Sequence, residues 1–200
     1  EVYALAATSS AWVVRAPLPA ARGALTASAI DGKLYAYGGV DQRGVTGALT
    51  VYDPRRDQWL TATSSPTIRE HHAAAALGGK LYVAGGRQVG ISHNLPSLEI
   101  YDPSTGIWSS GPPMPTARGG VGGAAFDGLF AVVGGEQSSG TNSAVEAFDP
   151  AAGRWRTLPP LPTPRHGLGV VTAGDALYAL AGGKRPGLSV SGSVEVLEAR

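Results

Sequence analysis

The sequence predicts an all-β fold, a β-propeller assembled from four-stranded antiparallel blades. Trp12, Trp59, Trp108 and Trp155 are the only tryptophans, and their separations are 47, 49 and 47 residues. Other residue types keep the same phase. A proline stands seven residues after each tryptophan (Pro19, Pro66, Pro115, Pro162), and an arginine three further on (Arg22, Arg69, Arg118, Arg165). No segment sustains a helical period, and a repeat of this length holding four strands is the pattern of a propeller blade.

The strands follow in order within each unit. After the arginine comes a segment of small residues, such as Ala24 to Ile30 or Gly120 to Phe126, suited to strands crowded near an axis. Asp31-Gly32, Gly78-Gly79, Asp127-Gly128 and Gly174-Asp175 are hairpin turns. The second strands begin at Leu34-Tyr35, Leu81-Tyr82, Leu129-Phe130 and Leu177-Tyr178. They run into glycine doublets at Gly38-Gly39, Gly85-Gly86, Gly134-Gly135 and Gly182-Gly183. The third strands are Leu49 to Tyr52, Leu98 to Tyr101, Ala144 to Phe148 and Val194 to Leu197. Asp53-Pro54, Asp102-Pro103 and Asp149-Pro150 end the first three of them, because proline lacks a ladder donor and aspartate closes turns with its side chain. The fourth strand carries the tryptophan.

Composition fits one domain over residues 1–200, with blade boundaries near the four tryptophans; 43% hydrophobic residues are ample for a core. Lysine plus arginine number 16 against 15 acidic residues, and neither sign forms a run, so a nucleic-acid partner is not expected. The absence of cysteine excludes disulfides, thiolate zinc sites and a cysteine nucleophile. No stretch approaches the roughly 20 apolar residues of a membrane helix, so membrane insertion is not expected either.

The string Pro-Arg, small-residue strand, Leu-Tyr, Gly-Gly, Glu-Val-Tyr-Asp-Pro, Trp resembles the kelch repeat over essentially the whole chain. The best copy joins Leu81-Tyr82-Val83-Ala84-Gly85-Gly86 to Glu99-Ile100-Tyr101-Asp102-Pro103 and Trp108. The third and fourth copies carry one extra residue before the doublet, and Asp-Pro gives way to Glu198-Ala199 at the last. The resemblance implies four kelch-type repeats in a complete or partial ring that works as a non-catalytic binding module. Two alternatives stand beside it, the first implied by the resemblance and the second by the open edges of an incomplete ring. One is a sugar-active enzyme of the sialic-acid mutarotase-like kind. The other is an assembly module whose incomplete ring self-associates into a homo-oligomer. The copper-radical oxidases of the same family need a cysteine cross-linked to tyrosine, which this chain lacks.

Two arrangements of the ends follow from the repeat. Residues 12 to 16 could pair with residues 194 to 198 and complete the last blade. Alternatively, Glu1-Val2-Tyr3, which resembles Glu99-Ile100-Tyr101, is the third strand of a preceding blade in a larger ring.

Site residues follow from the same repeat. Arg22, Arg69, Arg118 and Arg165 occupy one equivalent position and are read in two ways: as an anion-binding ring at a channel mouth, or as structural partners of Glu99, Glu146 and Glu195. The segments after the doublets vary most and hold Asp41, Gln42, Arg43, Arg87, Gln88, His93, Asn94, Glu136, Gln137, Lys184 and Arg185. Rigid sheets with variable polar tips are what recognition uses, and these loops are expected to share a face with the Pro-Arg loops. Such a surface suits a protein, peptide or glycan, with no cofactor. His71 and His72 are adjacent on one strand and point to opposite faces, so the two, with His93 and His166, read as polar loop residues and no metal site is expected.

Overall fold

The computed structural model describes residues 1–199, and every regular element among them is a strand. The chain opens with β1 (Val2–Ala4) and β2 (Val13–Arg15). Blade 1 holds β3 (Thr26–Ile30), β4 (Lys33–Tyr37), β7 (Leu49–Asp53) and β8 (Gln58–Ala62), with a short hairpin of β5 (Val40–Asp41) and β6 (Gly44–Val45) in its loop. Blade 2 is β9 (Ala73–Leu77), β10 (Lys80–Ala84), β11 (Leu98–Asp102) and β12 (Ile107–Gly111). Blade 3 is β13 (Gly122–Phe126), β14 (Leu129–Val133), β17 (Val145–Asp149) and β18 (Arg154–Leu158), with the loop hairpin β15 (Glu136–Gln137) and β16 (Gly140–Thr141). Blade 4 is β19 (Gly169–Ala173), β20 (Ala176–Leu180) and β21 (Val194–Glu198). Every pairing is antiparallel, and Trp59, Trp108 and Trp155 lie on the outermost strands.

The repeated residues meet at the joints between blades. The second glycine of each of the first three doublets donates its N–H to the carbonyl of the next blade's arginine: Gly39 to Arg69 at 2.9 Å, Gly86 to Arg118 at 3.0 Å and Gly135 to Arg165 at 2.9 Å. That approach is why the first position must be glycine. A Cβ on Gly85 would stand 2.9 Å from the Arg118 carbonyl, and the backbone there has φ +67°. At the outer rim each indole N–H donates to the residue four after the preceding tryptophan: Trp59 to Ala16 O, Trp108 to Thr63 O and Trp155 to Pro112 O, all at 2.8–2.9 Å. Between these two seams lie the apolar clusters, one of them joining Tyr37 and Leu49 of blade 1 to Leu81, Val83 and Tyr101 of blade 2.

A third seam runs along the axis. The residue two after each arginine is left-handed in all four blades: Ala24 (φ 54°), His71 (φ 52°), Gly120 (φ 63°) and Gly167 (φ 59°). This conformation turns one amide toward each neighbour, so His71 N–H donates to Ala24 O, Gly120 N–H to His71 O and Gly167 N–H to Gly120 O. The contacts β3 to β9, β9 to β13 and β13 to β19 join the inner strands in sequence, and no comparable contact joins β19 to β3 among the described residues.

Three sequence expectations change in detail. The pairing of residues 12 to 16 with 194 to 198 does not form: β2 pairs with β1 instead, Val2 opposite Arg15 and Ala4 opposite Val13. Tyr3 lies opposite Val14, whereas Tyr52 and Tyr101 face Trp59 and Trp108, so the resemblance of Glu1-Val2-Tyr3 to Glu99-Ile100-Tyr101 is two residues out of register. The extra residue before the last two doublets is taken up by a change of register. In blade 3 the two-residue turn is the same length as in blade 1, but the leucine follows it directly, so Leu129 takes the place of Lys33 opposite the end of the first strand. In blade 4, Ala181 (φ 56°) and Gly182 hold the doublet's place: Ala181 N–H reaches Ser193 O just as Gly38 N–H reaches Ala48 O, and Gly183 opens the loop.

Candidate functional site

In every blade the residue after the arginine bridges the residue after the doublet: Gly23 with Val40, Glu70 with Arg87, Gly119 with Glu136 and His166 with Gly183. The Pro-Arg loops and the variable loops therefore emerge together on one face. Five charged or titratable side chains from blades 2, 3 and 4 meet there. Arg87 lies between two carboxylates, its Nε 2.6 Å from Glu70 Oε1 and its Nη1 2.9 Å from Glu136 Oε1. The other Glu70 oxygen holds His71 Nδ1, and His166 Nδ1 lies 3.6 Å from Glu136 Oε1.

Glu136 is the centre of this group. It is almost wholly buried; its second oxygen accepts the Gly187 N–H, and its backbone carbonyl accepts Asn94 Nδ2 at 2.8 Å. The loop of blade 2 and the loop of blade 4 are thus both moored to blade 3. Thr141 adds a bond to Lys184 O at 3.1 Å, and Gln137 ties its own loop to Ala117 O. The His71 ring, 38% exposed, opens into an axial cavity of about 310 Å3 whose other walls include Ala24, Thr26, Gly120, Gly167 and Leu168.

The repeated arginines are not an open anion-binding ring. Arg69, Arg118 and Arg165 are fully buried, and each is spent on its own blade: Glu99 at 2.9 Å, Glu146 at 2.5 Å and Glu195 at 2.6 Å. A threonine hydroxyl holds two of these glutamates, Thr67 that of Glu99 and Thr116 that of Glu146, each at 2.7 Å. Burial lowers the Arg118 pKa, with Glu146 opposing the shift. Blade 1 lacks the carboxylate. Thr50 stands where the others have glutamate and Ala20 where they have threonine, so Arg22 bonds to Thr50 Oγ1 at 2.8 Å and to the carbonyls of Gly38 and Ala48.

The model of the KLHDC2/KLHL20/DRC7 kelch-repeats domain matches residues 1–183. The chain belongs to the kelch-repeat family. Its fold is also similar to a solved structure of YjhT, with a TM-score of 0.79 and 22% sequence identity. That match covers 90% of this chain and 66% of the other, so the kelch domain described here spans about two thirds of that protein's length. At this identity the likeness speaks for the fold. No curated protein matches the chain. Kelch propellers are platforms for protein interaction, and the open loop face is where this one has its variation.

Not all of the expected loop residues join the charged group in this kelch domain. Arg87 and Glu136 do, and Asn94 supports them. Lys184 and Arg185 are exposed on the blade 4 loop, and Gln88 and His93 lie further out on the blade 2 loop. Asp41 caps the Arg43 amide beside the exposed Gln42, where these three with Ala20 and Ala21 line a separate cavity of about 370 Å3. The sequence reads His71 and His166 as polar loop residues and does not single out Glu70, yet the structure brings all three into the charged group. The departure from Gly120 and Gly167 at the His71 position was the available signal. His72 points the other way, buried edge-on against Tyr37 with Nε2 2.7 Å from Thr26 Oγ1.

Proposed function

We propose that this kelch domain is a non-catalytic binding platform that takes a protein, peptide or glycan on its loop face, with Gln88, His93, Lys184 and Arg185 as contacts around a floor of His71 and Arg87. The observation that carries this reading is the mooring of two variable loops to the buried Glu136. Loops held by buried charge keep their shape before a ligand arrives, and recognition gains from that rigidity. The test is binding of the labelled chain to peptide and glycan arrays, repeated with Lys184→Glu and Arg185→Glu. Both side chains are exposed, so each change should alter stability by no more than about 0.5 kcal/mol while weakening every true hit. Undiminished binding by the double variant would place the site elsewhere.

A second reading, a sugar-active enzyme of the mutarotase-like kind, is favoured by one feature. Glu70 holds His71 Nδ1, His71 lines the axial cavity, and its Nε2 has no partner among the described residues, an arrangement open to a general base. Exchange between the anomers of reducing sugars, followed by NMR saturation transfer with and without His71→Gln, tests it. Exchange at the rate of buffer alone would discard this reading.

A further inference from the structure

His71 and His166 each stand beside a carboxylate of the loop face, and their hydrogen-bonding demands differ. Glu70 and Glu136 are nearly buried and share one guanidinium, that of Arg87, so the group carries one negative charge more than its arginine neutralises. An unbalanced buried charge is costly, and a proton on a histidine balances it. The geometry decides which ring takes that proton. His71 presents only Nδ1 to an acceptor, the Glu70 carboxylate, so a neutral ring with its hydrogen on Nδ1 satisfies the contact. His166 lies between two acceptors. Its Nε2 is 3.0 Å from the Arg185 carbonyl, which can only accept, and its Nδ1 is 3.6 Å from Glu136 Oε1. A neutral ring has one N–H to give. If Nε2 carries it, as the carbonyl requires, the Nδ1 lone pair faces a carboxylate; the imidazolium alone has a donor for both.

Arg185 belongs to the variable loop of blade 4, residues 184 to 191, which reaches back to blade 3. Gly187 N–H donates to Glu136 Oε2 at 3.2 Å, and Lys184 O accepts from Thr141 Oγ1 at 3.1 Å. Inside the loop, Ser189 Oγ accepts from the Arg185 amide at 3.0 Å and donates to its carbonyl. The His166 ring therefore grips the loop at the residue that organises its turn. Its own backbone is fixed, with N–H and carbonyl both bonded to Gly183. The ring is also sheltered, 12% exposed against 38% for His71, so water screens its contact with Glu136 less.

We propose that His166 is a proton-operated positioning residue, a clasp that holds the blade 4 loop against blade 3 when its ring is doubly protonated and slackens when Nδ1 loses its proton. In the closed form one side chain joins the Glu136 carboxylate to the Arg185 carbonyl. In the open form that carboxylate meets a lone pair, and the loop keeps only its neutral contacts and the Gly187 bond. The other charged groups around the ring are accounted for. Arg87 bridges Glu70 and Glu136, Arg165 is buried on Glu195, and the Lys184 and Arg185 side chains are exposed. His71 is the second histidine of the group and competes for the same proton across Glu70 and Arg87. The clasp is read from the loop itself; its consequence for binding, a fixed Lys184 and Arg185 at low pH and a looser pair at high pH, rests on the loop-face reading.

The experiment uses the whole chain. Exchange of the Arg185, Gly187 and Ser189 amides, each corrected for its free rate, should slow about tenfold as pH falls from 8 to 5.5, the scale of one hydrogen bond between charged groups. Amides of β13 and β14 should not slow with them. Nitrogen-15 NMR of the histidine rings should show His166 gaining its second N–H ahead of His71 over the same range. His166→Gln keeps a donor for the Arg185 carbonyl but gains no charge, so its loop amides should show no such pH dependence, whereas His71→Gln should retain it. A slowing that persists in His166→Gln, or a His166 ring still singly protonated at pH 5.5, would overturn the proposal. A loop that tightens as described in a chain that binds nothing on peptide and glycan arrays would sink the loop-face reading and leave the clasp standing.

Discussion

At the residue scale the four repeated arginines divide into two kinds, and their variants should separate them. Arg118→Ala leaves Glu146 buried beside a void, and losing one partner of a buried pair costs about 3 to 5 kcal/mol. Arg22 has no carboxylate to strand and is partly exposed, so Arg22→Ala should cost about 1 to 2 kcal/mol, the scale of its lost hydrogen bonds. Urea unfolding of the two variants checks the difference, and equal losses would contradict the assignment. His72 supplies a pH dependence. Burial holds its pKa well below the ordinary imidazole value, with Arg69 and His71 adding to the shift. Its stabilising contribution is therefore complete above the unfolded value of about 6.5 and is lost as pH falls below it, because unfolding takes up a proton. The unfolding midpoint should drop between pH 7.5 and 5.5, and His72→Gln should flatten that drop.

At the scale of the strand and turn, the glycines test why the motif exists. Gly79 and Gly85 have similar positive φ, 74° and 67°, but a Cβ on Gly79 meets open space while one on Gly85 meets the Arg118 carbonyl and Met114. Gly79→Ala should cost about 1 to 2 kcal/mol for the left-handed backbone, and Gly85→Ala about 3 to 4 once the clash is added. Thermal melts of both resolve the point. The strands were legible because tryptophan, arginine and the doublets each mark a joint with fixed geometry. What was not legible came from places where the period stays the same and the register slips. Leu129 and Ala181 each stand one residue from where their neighbours in sequence suggest, and only the hydrogen bonds reveal it. The site was legible by half. Arg87 and Glu136 vary from blade to blade and so attracted notice. Glu70 and His71 sit beside the repeated arginine, and nothing in one sequence says that their side chains turn away from it toward the loop face and the axis.

At the scale of the molecule, the loop face behaves as one unit because Glu136 serves three blades. Glu136→Gln removes the charge that holds Arg87 and weakens the bond to Gly187. Hydrogen exchange should quicken in residues 87 to 94 and 184 to 191 while the strands of blades 1 and 2 keep their protection. A uniform increase across the chain would mean that Glu136 supports the fold as a whole.

The joints also have a direction. At each complete one, the earlier blade gives an axial carbonyl and a rim carbonyl and receives a carbonyl at its second glycine, so its two sides are like the hook and eye of a fastener. A blade turned end for end would meet donor with donor. One cut from an arginine to the next carries a hook on one side and an eye on the other, whatever its loops contain. Such a unit can be copied, deleted or exchanged in a gene without redesigning its neighbours. Lengthening the array and diversifying its rim are then separate events, one acting on whole cassettes and the other on a few exposed codons.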